Sequence, residues 1–205
     1  MSNELILFHT AESNIGVFEQ AAREAGVERP LRHLMRDDLL KAAEAAGSLT
    51  DGVRADCREA MLAAGQGEMV CTCSTIGPAA DDLAAGGKDI RRVDRALAEA
   101  ALKRGRRIAV LFAVATTEGP TRLLFEEVAA EANPDAVIEM IPVPDAWTIF
   151  RAGNADGYFK KIAACVDGLD ETFDVIALAQ ASMAPAARQC QREVLTSPGV
   201  VFDTI

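Results

Sequence analysis

The sequence lacks long apolar runs, and aromatic residues make up only 5% of its 205 residues. The apolar stretch Leu5-Ile6-Leu7-Phe8 is far too short to form the core of a signal peptide or to cross a membrane. Basic residues are also in the minority, 21 against 31 acidic ones, which gives a formal net charge of −10. This charge argues against nucleic acid and anionic membranes, and we expect no partner of either kind.

Cysteine is scarce and does not occur in a metal-binding or disulfide pattern. The count of five is odd, and without a secretory signal we interpret these residues as reduced thiols of a cytoplasmic protein. Cys71-Thr72-Cys73 has no matching cysteine or histidine cluster, and its spacing differs from that of thioredoxin-type redox pairs. The sequence also lacks a Gly-x-Gly-x-x-Gly motif, a Walker loop and a nucleophile elbow. We therefore expect neither a zinc site nor a dinucleotide cofactor.

Residues 69–78 combine the pattern of a buried strand with a reactive side chain at its end. The apolar run leads into Cys73, Ser74 and Thr75, and Gly77-Pro78 opens the following helix. Because ligands bind at the carboxyl ends of strands in open α/β sheets, Cys73 stands where chemistry usually occurs. The start of the helix is expected to lower the pKa of the thiol. The alternative is an inert cysteine that packs in a strand.

The pattern recurs in residues 174–187, about half a chain length later. Cys73-Ser74-Thr75 aligns with Gln180-Ala181-Ser182. Residues 5–10 align in the same way with residues 108–113. An internal duplication of this kind predicts two similar α/β lobes whose equivalent strand ends face one cleft.

The duplication also sets the expected domain boundaries. We assign residues 1–93 to the first lobe, joined by the C-terminal segment 194–205, and residues 94–193 to the second lobe. At the equivalent strand end, the first lobe carries the thiol of Cys73 and the second lobe carries the amide of Gln180.

Polar residues after the first strand are further candidates for binding a carboxylate. Thr10, Ser13 and Asn14 occupy this loop, and helix capping by Ser13 or Asn14 explains them about equally well. His9 ends the strand itself, and it fits a packed or capping histidine better than a catalyst.

The second half offers similar candidates. Thr116 and Thr117 follow the strand at residues 108–113, and Gly119-Pro120 is expected to start the next helix. Trp147, the only tryptophan, either lines the pocket or covers the core.

The two aligned motifs resemble those of the aspartate/glutamate/hydantoin racemase superfamily, which includes arylmalonate decarboxylase and maleate isomerase. The resemblance covers nearly the whole chain, including His9-Thr10, Thr116-Thr117 and Thr196-Ser197-Pro198. It implies an α/β fold of two pseudo-symmetric flavodoxin-like lobes, each with a four-stranded parallel sheet, and an active site in the cleft between them. It also implies a small carboxylate substrate, no cofactor and a possible homodimer.

Racemases of this superfamily place one cysteine on each side of an acidic carbon. Cys73 matches the first of these cysteines, and Gln180 stands at the position of the second. A glutamine amide is only a hydrogen-bonding group and does not exchange a proton as an acid or base near neutral pH. The candidate binding residues, from the resemblance and from the loops together, are Thr10, Ser13, Asn14, Ser74, Thr75, Thr116, Thr117, Ala181 and Ser182.

These observations predict a cofactor-independent isomerase or lyase that acts on a small carboxylate. Cys73 is expected to be its sole acid/base or its nucleophile, which favours one-base chemistry over two-cysteine racemisation. The alternative is a non-catalytic protein that binds or senses a small carboxylate and retains the racemase fold.

Overall fold

The computed structural model describes residues 4–204 and contains two parallel sheets of four strands each. The strands are β1 (Leu5–His9), β2 (Leu31–Met35), β3 (Met69–Cys71), β4 (Ile90–Arg92), β5 (Arg107–Phe112), β6 (Val137–Pro142), β7 (Val175–Leu178) and β8 (Leu195–Thr196). The first sheet has the order β2-β1-β3-β4, and the second has the order β6-β5-β7-β8. The predicted α/β fold with two four-stranded parallel sheets is therefore confirmed.

Helices connect most of the strands, as parallel pairing requires. They are α1 (Ser13–Glu24), α2 (Asp37–Ala46), α3 (Asp51–Ala63), α4 (Gly77–Ala85), α5 (Val93–Arg104), α6 (Ala115–Ala132), α7 (Ala146–Arg151), α8 (Ala155–Asp167) and α9 (Ser197–Val201). Two 3₁₀ segments follow β7 and α9, at Ala181–Gln189 and Phe202–Thr204. Within residues 4–204, none of the helices has the length and apolar character needed to pass through a bilayer.

The strand register places the two duplicated motifs at equivalent positions. Phe8 of β1 pairs with Cys71 of β3, and Leu111 of β5 pairs with Leu178 of β7. Cys73 follows β3 by the same two residues by which Gln180 follows β7. The two side chains therefore stand at matching strand ends of the two sheets.

One apolar cluster runs through both lobes. It joins Leu7 and Phe18 of the first lobe to Ile108 and Phe125 of the second, together with Val201 of α9. All five side chains are fully buried. Since burial of one large apolar side chain stabilises a fold by about 1.5–3 kcal/mol, separating the lobes is strongly unfavourable. The cleft between them is therefore built on a shared core.

The C-terminal segment, predicted as residues 194–205 and described up to residue 204, does not simply join the first lobe as predicted. β8 pairs in parallel with β7 and so extends the second sheet. Beyond it, Phe202 packs edge-on against Phe18 of α1, with ring centroids 6.3 Å apart. Because the edge of β7 has backbone groups to pair, the segment adds a strand there before it reaches the first lobe.

Two helix starts also differ from the predictions. α6 begins at Ala115, directly after an extended residue, and Gly119-Pro120 lies within the helix. α1 begins at Ser13, and Glu12 before it already has helical backbone angles. Neither Ser13 nor Asn14 therefore has the extended N-cap conformation in which a side chain caps a helix.

Substitution of Gly77 tests the close packing at the start of α4. A Cβ there would lie 2.3 Å from Nε of Arg92, a buried residue held by Asp81 and Asp94. We expect Gly77→Ala to lower the free energy of unfolding by about 1–3 kcal/mol, seen as a lower urea midpoint. In the control Gly52→Ala, the new Cβ meets nothing within 4 Å in α3, so the midpoint rises. Equal midpoints for the two variants would contradict this packing.

Candidate active site

A cleft with a cavity volume of about 40 Å³ lies where the loops after β1, β3, β5 and β7 meet. The enclosed space has room for about three water-sized groups, which suits a single carboxylate. The cleft is lined by Thr10, Ala11, Asn14, Leu40, Thr72, Cys73, Ser74, Thr75, Val114, Thr117, Trp147, Gln180, Ala181 and Ser182. Cys73 and Gln180 therefore share one cleft, at the carboxyl ends of their strands.

Most of the predicted binding residues meet in this cleft. Those that line it are Thr10, Asn14, Ser74, Thr75, Thr117, Ala181 and Ser182. Thr116 is not part of the lining, but its Oγ1 lies 3.4 Å from Oγ1 of Thr75. Ser13 is exposed on α1 and does not reach the cleft. The prediction for Ser13 fails because its neighbour Asn14 occupies the position on α1 that faces inward.

The sulfur of Cys73 is surrounded by hydrogen-bond donors. The Thr10 hydroxyl and the backbone N–H groups of Thr75 and Ile76 all bond to it. The two N–H groups belong to the turn that leads into α4, so the sulfur lies at the positive end of that helix. These contacts stabilise a thiolate once it forms.

Burial nevertheless raises the pKa of Cys73 above its ordinary value. Desolvation of the charged sulfur is the largest effect, and the hydrogen bonds from Thr10, Ile76 and Thr75 only partly offset it. The negative charge of Asp94 acts in the same direction as burial. The expectation of a lowered pKa is therefore wrong, because it counted the helix start and not the burial. Cys73 is a protonated thiol at neutral pH.

Gln180 is fixed by the loop that follows β5. Its Oε1 accepts hydrogen bonds from the backbone N–H groups of Ala113 at 2.6 Å and Val114 at 3.1 Å. Because these donors hold the amide oxygen, the amide nitrogen is the group that remains to donate to a ligand. The second lobe thus presents a neutral donor where the first lobe presents a thiol.

Two hydrogen bonds cross between the lobes beside these residues. The Ser74 hydroxyl donates to the Ala179 carbonyl at 3.4 Å, and the hydroxyls of Thr75 and Thr116 are also 3.4 Å apart. Both distances are at the long end for hydroxyl hydrogen bonds. These hydroxyls can therefore turn to a bound anion at little energetic cost.

On the second-lobe side, two aromatic residues shape the cleft. The hydroxyls of Tyr158 and Ser182 lie 3.1 Å apart, and burial raises the pKa of Tyr158 to about 12. Tyr158 is therefore a neutral partner that orients Ser182. Trp147 lines the cleft and stacks on Phe150 with centroids 5.3 Å apart, which decides between its two predicted roles.

Asn14 has an unsatisfied polar atom at the cleft. Its side chain is 94% buried, and its Oδ1 has no hydrogen-bond partner among the described residues. Leaving such a carbonyl unpaired costs about 1–3 kcal/mol. Because Oδ1 itself has almost no accessible surface, a ligand can bond it only after the Asn14 side chain turns toward the cleft.

Sequence reasoning missed four lining residues: Ala11, Leu40, Thr72 and Val114. Ala11 and Val114 follow strands just as the predicted residues do, so the rule that found Thr10 could have found them. Thr72 lies between Cys71 and Cys73, and the sequence pattern gave it no role of its own. Leu40 comes from α2, which carries no strand-end signal.

Cys73 is the only ionisable side chain among the cleft-lining residues of the described chain, 4–204. In the same range, no group of three histidine, cysteine, aspartate or glutamate side chains is arranged to hold a metal ion. Acid/base chemistry by protein side chains at this cleft therefore falls to Cys73.

Comparison with solved structures identifies the fold. The chain superposes on an aspartate racemase homologue from Pyrococcus horikoshii with a TM-score of 0.65 and 16% identity, over 99% of this chain and 96% of that one. For an aspartate racemase from Picrophilus torridus the values are 0.68 and 11%, over 95% and 88% of the two chains. For a glutamate racemase from Thermus thermophilus they are 0.66 and 14%, over 98% and 78%.

These identities are low, and the likeness shows the fold alone. No family model and no curated protein matches the sequence. The chain therefore has the two-lobed fold of these racemases, and its chemistry has to be argued from its own cleft.

The raised pKa of Cys73 predicts slow alkylation by iodoacetamide at neutral pH. Only the thiolate reacts, so the rate should still be rising with pH above about 8.5, the ordinary pKa of cysteine. Fragmentation of the labelled peptide by mass spectrometry distinguishes Cys73 from Cys71, two residues away, and small dicarboxylates should protect it. A rate that levels off below pH 8 would contradict the direction of this pKa shift.

Proposed function

We propose that the protein is a cofactor-independent isomerase or lyase that acts on a small carboxylate, with Cys73 as its acid/base. The proposal rests on one observation: a single ionisable side chain faces a neutral donor, Gln180, across a cleft between two lobes. Its support from known proteins is the fold of aspartate and glutamate racemases. The substrate class and the one-base mechanism are argued from the cleft.

The cleft can hold a carboxylate without a cationic side chain. Hydroxyls of Ser74, Thr75 and Thr117 line it, and Gln180 adds an amide N–H. Hydrogen-bond donors at helix starts suit anions, and the same donors stabilise an enolate as charge moves onto the carboxylate. The same donors therefore bind the substrate carboxylate and stabilise the negative charge that develops in the transition state.

Proton transfer at one face follows from the pairing of Cys73 with Gln180. The thiolate of Cys73, its minor form at neutral pH, takes a proton from the carbon beside the carboxylate: the C–H bond breaks, the S–H bond forms, and the electron pair moves onto the carboxylate. In an isomerase the thiol then returns a proton to the same face at a different carbon of the extended enolate, which moves a double bond; return to the original carbon gives only exchange with solvent. In a lyase, the substrate loses carbon dioxide instead and the protonated thiol of Cys73 donates to the carbanion. The raised pKa of Cys73 suits this donating role at neutral pH.

Asn14 favours substrates that carry a hydrogen-bond donor near the carboxylate. Once the side chain turns toward the cleft, its unpaired Oδ1 accepts from an amine, an amide N–H or a hydroxyl. We therefore propose amino acids, hydroxy acids or cyclic amides ahead of simple dicarboxylates. Dicarboxylates then act as inhibitors that occupy the cleft.

Solvent exchange in heavy water tests the one-base proposal. Aspartate, glutamate and hydroxy acids are incubated as separate enantiomers, and deuterium at the carbon beside the carboxylate is measured by NMR. We expect incorporation with retention and little racemisation, since one base returns the proton to one face. Cys73→Ala should abolish exchange, whereas Cys190→Ala, whose thiol lies outside the cleft, should preserve it. Rapid racemisation with inverted labelling would contradict one-base chemistry.

Gln180→Cys supplies a thiol on the second face. We expect this variant to gain racemisation, because the backbone N–H groups of Ala113 and Val114 face the new side chain and favour its thiolate. The gain should be small, since a base misplaced by about 1 Å loses about a hundredfold in rate. Gln180→Ser is the matched control: its side chain has the size of cysteine, but its hydroxyl does not ionise near neutral pH, so it should not racemise. Equal racemisation by both variants would contradict the role of the second thiol.

A further inference from the structure

A chain of hydrogen bonds leads from α1 to the residue before Cys73. Oε1 of Glu19 lies 3.0 Å from Nε2 of His33. The other ring nitrogen of His33 lies 2.8 Å from Nε2 of His9, and Nδ1 of His9 lies 2.8 Å from Oγ1 of Thr72. The two imidazole rings also stack, with centroids 5.1 Å apart. Glu19, His33 and His9 do not line the cleft themselves.

His9 joins the two strand ends that carry the thiol and its partner. It directly precedes Thr10, whose hydroxyl donates to Cys73. Its ring bonds Thr72, which directly precedes Cys73. The N–H and hydroxyl of Thr72 both donate to the Phe8 carbonyl, at 3.0 and 3.1 Å. These bonds also link the end of β3 to the end of β1. The ring therefore helps to set the distance between Thr10 and Cys73.

The orientation of the His9 ring is fixed on both sides. The side chain is fully buried, and burial together with His33 lowers its pKa to about 3, so the ring is neutral. A neutral imidazole has one donor and one acceptor nitrogen, and both are engaged here. Any rotation of the ring breaks a buried hydrogen bond. Glu19 holds His33, so the constraint extends to α1.

We propose that His9 is a positioning residue for Cys73: by fastening the end of β1 to the end of β3, it holds the Thr10 hydroxyl against the sulfur. The strand register places Phe112 at the equivalent position of the second lobe, where no thiol has to be oriented. The contribution of His9 to catalysis rests on the proposed function of Cys73. The positioning itself concerns the thiol and is measured without a substrate.

The rate of alkylation of Cys73 by iodoacetamide, followed from pH 7 to 10 by peptide mass spectrometry, tests this proposal. His9→Phe keeps an aromatic ring but removes both hydrogen bonds. We expect its rate at pH 8.5 to fall about three- to tenfold, the effect of one lost hydrogen bond to the thiolate, and Thr10→Val to give a similar fall. The double variant should be no slower than Thr10→Val alone, because both changes remove the same contact.

Further variants keep the test decisive. His9→Asn retains a donor near the position of Nδ1 and should recover part of the rate. His33→Gln, at a partly exposed site, gives a smaller fall in the same direction if His9→Phe does not fold. An unchanged rate in His9→Phe, or a fall that persists in full on the Thr10→Val background, would overturn the positioning role. If the alkylation pattern holds but no carbon acid exchanges deuterium, the proposed function fails and the positioning role stands.

Discussion

The apolar core shared by the two lobes is the constraint on which the rest of the structure depends. Leu7 and Phe18 pack into the same cluster as Ile108 and Phe125, so the lobes cannot separate without exposing that cluster. The ends of β3 and β7 are therefore held face to face. Only with this constraint do a thiol and an amide more than a hundred residues apart form one site.

The two lobes have the same topology but different polar groups. Given the paired register of β1 with β3 and of β5 with β7, Thr72 corresponds to Ala179, and Cys73 corresponds to Gln180. The first lobe thus combines a thiol with a buried hydroxyl that bonds His9, whereas the second lobe has the apolar residues Phe112 and Ala179 at the positions that match His9 and Thr72. This asymmetry supports the proposed single base, because only the first lobe brings an ionisable side chain to the cleft.

Much of this architecture could be predicted from the sequence, because it rests on local patterns. The apolar run before Cys73 and its repeat before Gln180 predicted the two strand ends and the cleft between them. The rule that ligands bind at strand ends also placed Thr10, Asn14 and Thr117 correctly in the lining.

What the sequence did not predict depends on distant contacts. The choice between Ser13 and Asn14 depends on the rotation of α1 about its axis, which its packing decides. The pKa of Cys73 depends on burial by both lobes, and no motif encodes that. His33 is far from His9 in sequence, and only the pairing of β1 with β2 brings their rings together.

A crystal structure of the protein with malonate tests the central claim, that the cleft binds a small carboxylate between Cys73 and Gln180. The account predicts one carboxylate of malonate within hydrogen-bond distance of the amide nitrogen of Gln180 and of the Ser74 or Thr75 hydroxyl, with the sulfur of Cys73 facing the central carbon. Malonate bound only at surface arginines such as Arg106, with the cleft empty at saturating concentration, would contradict it.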